Sequence, residues 1–237
     1  MVPSWTQDAI ESNNQARNPR IQTATTTLDA NIQSSKTITY NTNFNVTQEQ
    51  TRDWGSGAPG DLVFQRDVTY TLIASPSFER PQVETISAKN PEDPQQTFMP
   101  QGKTEFFYDQ YPLAPRTGAP NHNGNTSEVG RGDPTQVKHS KSGSVAVTET
   151  MKYDILGNVV QKIDPLNHST LLSYTDNFSD SVNRNTFTYP TQTTNPAGHN
   201  AYVTYNFDTG LVTRPYRVER FRDPYVHLRR ASRQFSA

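Results

Sequence analysis

A short phrase recurs in this chain at a fixed interval. Tyr153-Asp154-Ile155-Leu156-Gly157-Asn158-Val159-Val160 is followed by Asp164-Pro165-Leu166-Asn167-His168 and by a strand-like run closing on Tyr174. The second half returns as Asn195-Pro196-Ala197-Gly198-His199 with a run closing on Tyr205, shifted by 31 residues at Pro, His and Tyr alike. Such a period marks a repeat architecture, in which each supersecondary unit buries its apolar face against its neighbours. A function is then to be sought in an assembly rather than in one pocket.

The phrase has a mechanical reading. Asp154 can accept from backbone amides two residues on, as an Asx turn, while Gly157 supplies a positive φ without steric cost. The chain reverses and Val159 is aimed back along the strand of Tyr153. In Asp164-Pro165 and Asn195-Pro196, Asp or Asn stands at the first position of a turn and Pro at the second, their preferred places in type I and II turns. Two residues later stand Asn167 and Gly198, the residue types most tolerant of positive φ. Tyr153, Tyr174 and Tyr205 read as packing residues at strand ends, each ring covering a neighbouring hairpin.

Elsewhere the dominant period is two, expected when one strand face is covered and the other wet. Thr37-Ile38-Thr39-Tyr40, Phe44-Asn45-Val46, Val68-Thr69-Tyr70-Thr71-Leu72 and the run from Val145 through Met151 to Tyr153 alternate. Gly- and Pro-rich punctuation separates them, at Trp54 to Gly60, Asn90 to Pro94, Pro100 to Gly102 and Ser140 to Gly143. No segment of the main body carries an apolar helix stripe. The expected fold is all-β, an array of five or six antiparallel hairpins with irregular termini. Three regions are expected: a polar leader over 1–19, disordered or a short helix; a hairpin repeat region over 20–213, with a long Pro- and Gly-rich loop at about 110–134; and an Arg-rich tail over 214–237.

Composition agrees. Apolar residues make up 32% of the 237 and mean hydropathy is −0.82, low for a compact core. A net charge of −1 and an aromatic content of 10% oppose wholesale disorder. The absence of cysteine excludes disulfides, thiolate metal sites and cysteine nucleophiles. The N-terminus has neither the basic nor the apolar region of a secretory signal, and no apolar run is long enough for a spanning helix.

The phrase resembles the unit of the RHS/YD-repeat family, roughly Tyr-Asp-x-x-Gly-Asn/Arg-Leu/Val, a strand, Asp-Pro-x-Gly-His/Asn, and a strand closing on Tyr. The likeness is strong from Met151 to Thr213. Upstream it is looser, in Tyr40-Asn41-Thr42-Asn43-Phe44-Asn45-Val46, where Asn41 replaces Asp and Phe44 replaces Gly, and in Tyr108-Asp109 with Gly130-Arg131-Gly132-Asp133-Pro134. The resemblance implies a ribbon of hairpins that, in intact members, winds into a hollow shell around a C-terminal toxin or other cargo. It implies an extracellular or cell-surface setting for the parent, further YD repeats or the cargo as partners, and an association with carbohydrate. The self-cleaving Asp-Pro core motif of intact members and a cargo domain are not recognisable.

Catalytic, cofactor and metal residues are expected to be none. His122, His139, His168, His199 and His227 are widely separated, and His168 and His199 share a repeat position, which a turn role explains. No Ser-His-Asp signature and no phosphate loop is present. Arg131-Gly132-Asp133 spells an adhesion tripeptide but reads as a turn, and the matches to the glycosylation sequon at Asn45, Asn125, Asn167 and Asn177 are expected by chance in so Thr- and Asn-rich a chain. The tail holds seven arginines in 24 residues, against eight in the preceding 213. It admits three readings: a frame lost after Val212 or Thr213, a disordered or idiosyncratic native end, and an arm for nucleic acid or acidic surfaces; the first fits the break best, and nucleic acid is not the expected partner. The function expected is a non-catalytic structural segment of a shell protein, the alternative a hairpin module binding carbohydrate or protein through rings such as Trp54.

Overall fold

The structure is a computed structural model that describes residues 1–7, 18–28, 31–74, 78–90, 93, 95–119, 124–127, 130–141 and 144–218. Among these residues there is no helix, and fourteen strands are formed. They are β1 (Val2–Thr6), β2 (Arg20–Leu28), β3 (Ile32–Tyr40), β4 (Val46–Ser56), β5 (Leu62–Ala74), β6 (Phe78–Lys89), β7 (Phe98–Tyr108), β8 (Pro134–Lys141), β9 (Val147–Tyr153), β10 (Val159–Ile163), β11 (Ser169–Ser173), β12 (Gln192–Thr194), β13 (Asn200–Tyr205) and β14 (Val212–Val218). The all-β hairpin array is therefore what the chain forms, with more hairpins than the five or six expected.

The chain divides into two compact units: residues 1–110 with 129–148, and residues 111–128 with 149–237. In unit 1, β1 to β8 form an antiparallel meander in chain order. Its strands are long, thirteen residues in β5 and twelve in β6, and rich in Thr, Val and Gln, whose β-branched or extended side chains suit a half-exposed pleated surface. In unit 2 the strands from β9 to β14 follow the same order but are short, five residues in β10 and β11 and three in β12. What they lack in length is made up by a small core: Leu113, Tyr153 and Ile155 are buried together, with Met151, Leu156 and Val159 packed on them.

The termini differ from expectation. The leader expected over 1–19 contains β1, paired with β2 from Val2↔Thr25 to Thr6↔Arg20. Residues 2–6 of it are thus strand-paired, a backbone ladder needing no apolar period. Residues 8–17 lie outside the described residues. At the other end β14 runs past Thr213 to Val218, with Arg214 opposite Thr204 and Arg217 opposite Tyr202. The Arg-rich segment thus begins inside the last strand, and residues 219–237 lie outside the described residues. The loop expected at about 110–134 occupies the stretch between β7 and β8, and β9 starts at Val147 rather than at Val145, which is 91% exposed.

Candidate functional site

The recurring feature is a turn built on one Asx side chain. At Asp154 the N–H of Gly157 donates to the Asp154 carbonyl at 2.9 Å and the Asp154 N–H donates to the Asn158 carbonyl at 2.9 Å. The Leu156 and Asn158 amides donate to Asp154 Oδ1 at 3.0 and 2.9 Å, so the Asx turn expected there is present. Gly157 has φ of 87°, in the left-handed region. This is a type I turn with a left-handed fourth residue, which returns the strand with the twist a hairpin needs.

The same pattern holds at Asp164. The Leu166 and His168 amides donate to its Oδ1 at 2.9 and 2.8 Å, and Asn167 has φ of 64°. At Asn195 the His199 amide donates to Oδ1 at 2.9 Å and Gly198 has φ of 81°. Pro165 and Pro196 stand exposed at the second position of these turns, where a fixed φ suits and no N–H is needed. The equivalence of Asn167 with Gly198 is thus one of backbone geometry. His168 and His199 are exposed; Nδ1 of His168 lies 3.0 Å from Asp164 Oδ2, and Nδ1 of His199 lies 3.4 Å from the Asn195 amide nitrogen. Asp164 is held below the ordinary carboxylate value, chiefly by the His168 backbone N–H and also by the His168 ring and the Leu166 amide.

The upstream unit, diverged in sequence, keeps this geometry. Asn41 receives the Asn43 and Asn45 amides on Oδ1, both at 2.9 Å, and Phe44 adopts φ of 65° where glycine would be expected. The Arg20 guanidinium covers the Phe44 ring at 4.8 Å, and the Asn41 and Asn45 side chains both donate to Glu79 Oε2, at 2.9 and 2.6 Å. Glu79 is thereby held below its usual range, the Asn41 hydrogen bond being the largest cause. Asp93 builds a variant, receiving the Gln95 and Thr97 amides while Gln96 takes φ of 48°.

Two turns of the series are stretched by insertions. At Tyr108-Asp109, Asp109 receives the amides of Gly132 and Asp133, at 2.9 and 3.1 Å, so its turn closes on residues more than twenty positions on. Arg131 and Asp133 engage each other at 3.2 Å, which makes the Arg-Gly-Asp tripeptide part of this closure. Burial pushes the Asp133 carboxyl up, with Arg131 opposing. At Asp176 the amides of Arg184, Thr186 and Phe187 and the Thr186 hydroxyl converge on one carboxylate at 2.7 to 3.1 Å. Burial raises that carboxyl, but the hydrogen bonds outweigh it and it lies below the usual range.

Each insertion in unit 2 clasps a later turn. Residue 114 forms a parallel bridge to Asp154, with Ala114 N–H on the Tyr153 carbonyl and Ile155 N–H on the Ala114 carbonyl. Phe178 bridges Tyr205 in the same parallel sense. The first clasp delivers Arg116, whose Nε lies 2.7 Å from Oδ2 of the fully buried Asp154 and whose guanidinium covers the rings of Phe187 and Tyr174 at 5.3 and 5.9 Å. The second delivers Arg184 over Phe207 at 4.0 Å. Asn158 joins the clasp, its side chain donating to the Phe187 carbonyl at 3.0 Å. Sequence reasoning missed both arginines: Arg116 and Asp154 stand 38 residues apart, and the ring that Arg184 covers, Phe207, lies beyond its own insertion, so neither contact carries a local signal.

The tyrosines do more than pack. The hydroxyls of Tyr40, Tyr70, Tyr108 and Tyr205 each donate to a carbonyl on the preceding strand or just before it: Ile21, Val46, Pro81 and Pro190, at 2.6 to 3.1 Å. Tyr153 and Tyr174 are buried, and Tyr205 stacks on Tyr189 at 4.6 Å. Tyr70 has no Asx residue after it, so its membership in the series was hidden in the sequence. Near the Asp109 turn, Phe106, Phe107, Tyr108, Gln82 and Gln110 line an open groove of about 540 Å³. Among the described residues no three His, Asp or Glu side chains are placed to hold a metal ion, and no helix is long and apolar enough to cross a membrane. His122 and His227 lie outside the described residues, while His139 Nδ1 sits 3.1 Å from the Thr104 hydroxyl. Neither the protein-family models nor the curated proteins compared with the chain match it.

Proposed function

We propose that the chain is a non-catalytic structural segment of an RHS/YD-type shell protein, its partners being further hairpins of the same kind or an enclosed cargo. The observation that carries this reading is the recurrence of one hydrogen-bonded Asx turn at Asn41, Asp154, Asp164 and Asn195, through changes of sequence at nearly every other position. A geometry kept while Gly becomes Asn or Phe serves the ladder rather than a ligand. The test lies in the coding DNA: translated beyond codon 213 in the other two frames and in the flanking region, it should yield further Tyr-Asp units. Their absence in all frames overturns the reading.

A second reading, a hairpin module that binds carbohydrate or protein, is favoured by one observation. Trp54 and Trp5 are 45% and 60% exposed, and rings free to stack on an apolar sugar face are a common binding device. Retention of a glycan on an array, lost on Trp54→Ala, would support it; a blank array leaves the structural reading alone.

A further inference from the structure

Unit 1 has two unlike faces. Residues directly opposite across a ladder share a face, so the register Thr37↔Gln50, Gln50↔Gln65 and Gln65↔Ser87 defines a wholly polar row. That face spends its groups on itself: Gln50 donates to Gln65 at 2.8 Å, Gln48 to Asp67 at 2.8 Å and Gln65 to Asp67 at 2.6 Å. The other face carries the row Ile38↔Glu49, Glu49↔Arg66, Arg66↔Ile86, flanked two positions along β5 by the half-buried Phe64 and by Val68, which its neighbours in the chain already cover. Ile86 is 37% exposed. Lys36 pairs with Glu49 at 3.0 Å, and Arg66 pairs with Glu84 at 2.9 Å and Glu49 at 3.9 Å, so the charges are already held in place.

This row reads apolar, acid, base, apolar from β3 to β6, and apolar, base, acid, apolar in reverse. We propose that unit 1 forms a two-fold dimer through this face, the row Ile38–Glu49–Arg66–Ile86 lying reversed on that of a second copy. A half-turn about an axis parallel to the strands, between β4 and β5, sets Ile38 against Ile86 of the second copy and Glu49 against its Arg66. The isologous contact buries the apolar ends and gives each central charge an opposite neighbour from the other copy. The alternation of sign fixes the register, since a slip of one strand sets like charges against each other. Ile86 is left exposed and Ile38 half-buried on this face, whereas sheet proteins bury such apolar positions against a second layer.

The test uses the full chain, which has no cysteine. Ile38→Cys with Ile86→Cys places thiols three strands apart, roughly 14 Å at the usual strand spacing and too far to join within one copy. On mild oxidation the dimer gives a covalent two-chain product, whereas the control pair Thr37→Cys with Ser87→Cys, on the polar face, gives none. Sedimentation of the unaltered chain from about 1 µM to about 1 mM, the range of weak interfaces, shows a monomer–dimer equilibrium, weakened at least about tenfold by Ile86→Lys. Arg66→Glu abolishes it, and the swap Glu49→Arg with Arg66→Glu restores it. A monomer at all concentrations, growth beyond the dimer, or equal cross-linking by both cysteine pairs overturns the proposal. These outcomes are independent of the flanking coding sequence and so of the structural role proposed above.

Discussion

The two units solve one problem by different means. Unit 1 relies on long ladders: of the eight buried apolar residues among those described only Val68 lies in it, at 3% exposure, and its side chains hydrogen-bond along the faces of the sheet. Unit 2 has strands of three to seven residues and holds the other seven, together with a fully buried aspartate. Where strands are long, backbone pairing and Thr, Gln and charged rows suffice, each contributing little and none being indispensable. Where strands are short, loops fold back over the turns and stability is concentrated in a few residues. The difference predicts that unit 2 responds sharply to single substitutions and unit 1 does not.

The largest effect is expected at Arg116. Arg116→Ala leaves Asp154 buried without its cation, a change that costs about 3–5 kcal/mol in comparable settings. Hydrogen exchange should show loss of protection from residue 149 onward with little change in β3 to β6. Adding Asp154→Asn should recover much of the loss, because Asn41 and Asn195 make the same turn without a charge. If β3 to β6 lose protection to the same degree, the contrast between the units is wrong.

Next is the core. Ile155 is 2% exposed in a tight cluster, so Ile155→Ala should cost about 2–4 kcal/mol through lost burial and a residual cavity. Val68→Ala in unit 1 removes fewer atoms and should cost about 1.5 kcal/mol. Denaturant titration of both variants checks the ratio; equal costs would break the comparison.

How much of this was legible follows from the same contrast. The turns at Asp154, Asp164 and Asn195 were readable because one Asx side chain, Pro and a residue tolerant of positive φ lie within five positions. Period two in β3 and β5 was readable for the same local reason. Not readable were the contacts of Arg116 with Asp154 and of Arg184 with Phe207, distant along the chain, nor β1, whose pairing with β2 rests on backbone groups that every sequence carries. Phe44 misled in the other direction. A bulky residue at a glycine position suggests a failed turn, yet the side-chain oxygen of Asn41 and the guanidinium of Arg20 hold it.

Acid should act on the units with opposite sign. Asp176 has a folded value below its unfolded one, so it stabilises unit 2 above the unfolded carboxylate value, and that stability is lost as pH falls through the lower folded value. Asp133 in unit 1 is raised by burial; its folded form holds the proton more tightly, so its contribution becomes unfavourable as pH rises from the unfolded toward the folded value. Melting followed from about pH 7 to about pH 3 should therefore show Asp176→Asn flattening the acid loss of unit 2. Asp133→Asn should bring a gain at neutral pH that disappears in acid. The same sign for both groups would remove this part of the contrast.

The smallest effect isolates the turn itself, since Gly157 and Phe44 hold the same position in the two units. Gly157→Ala places a Cβ at φ of 87° and should cost about 1–2 kcal/mol, the usual cost of the left-handed region for a residue with a side chain. Phe44 already bears that cost at φ of 65°, partly offset by the cation–π contact of its exposed ring with the half-buried Arg20, worth about 0.5–1 kcal/mol. Phe44→Asn gives up the ring contact but places there the residue type that Asn167 shows to be compatible. The two terms nearly cancel, so the melting temperature of unit 1 should move by less than about 3 °C. A large loss would mean that the Phe44 ring, not the Asx hydrogen bonds, holds the turn of unit 1 closed. The turn would then be a packing device in one unit and a hydrogen-bonding device in the other, and the equivalence of the upstream unit with the later repeats would have to be abandoned.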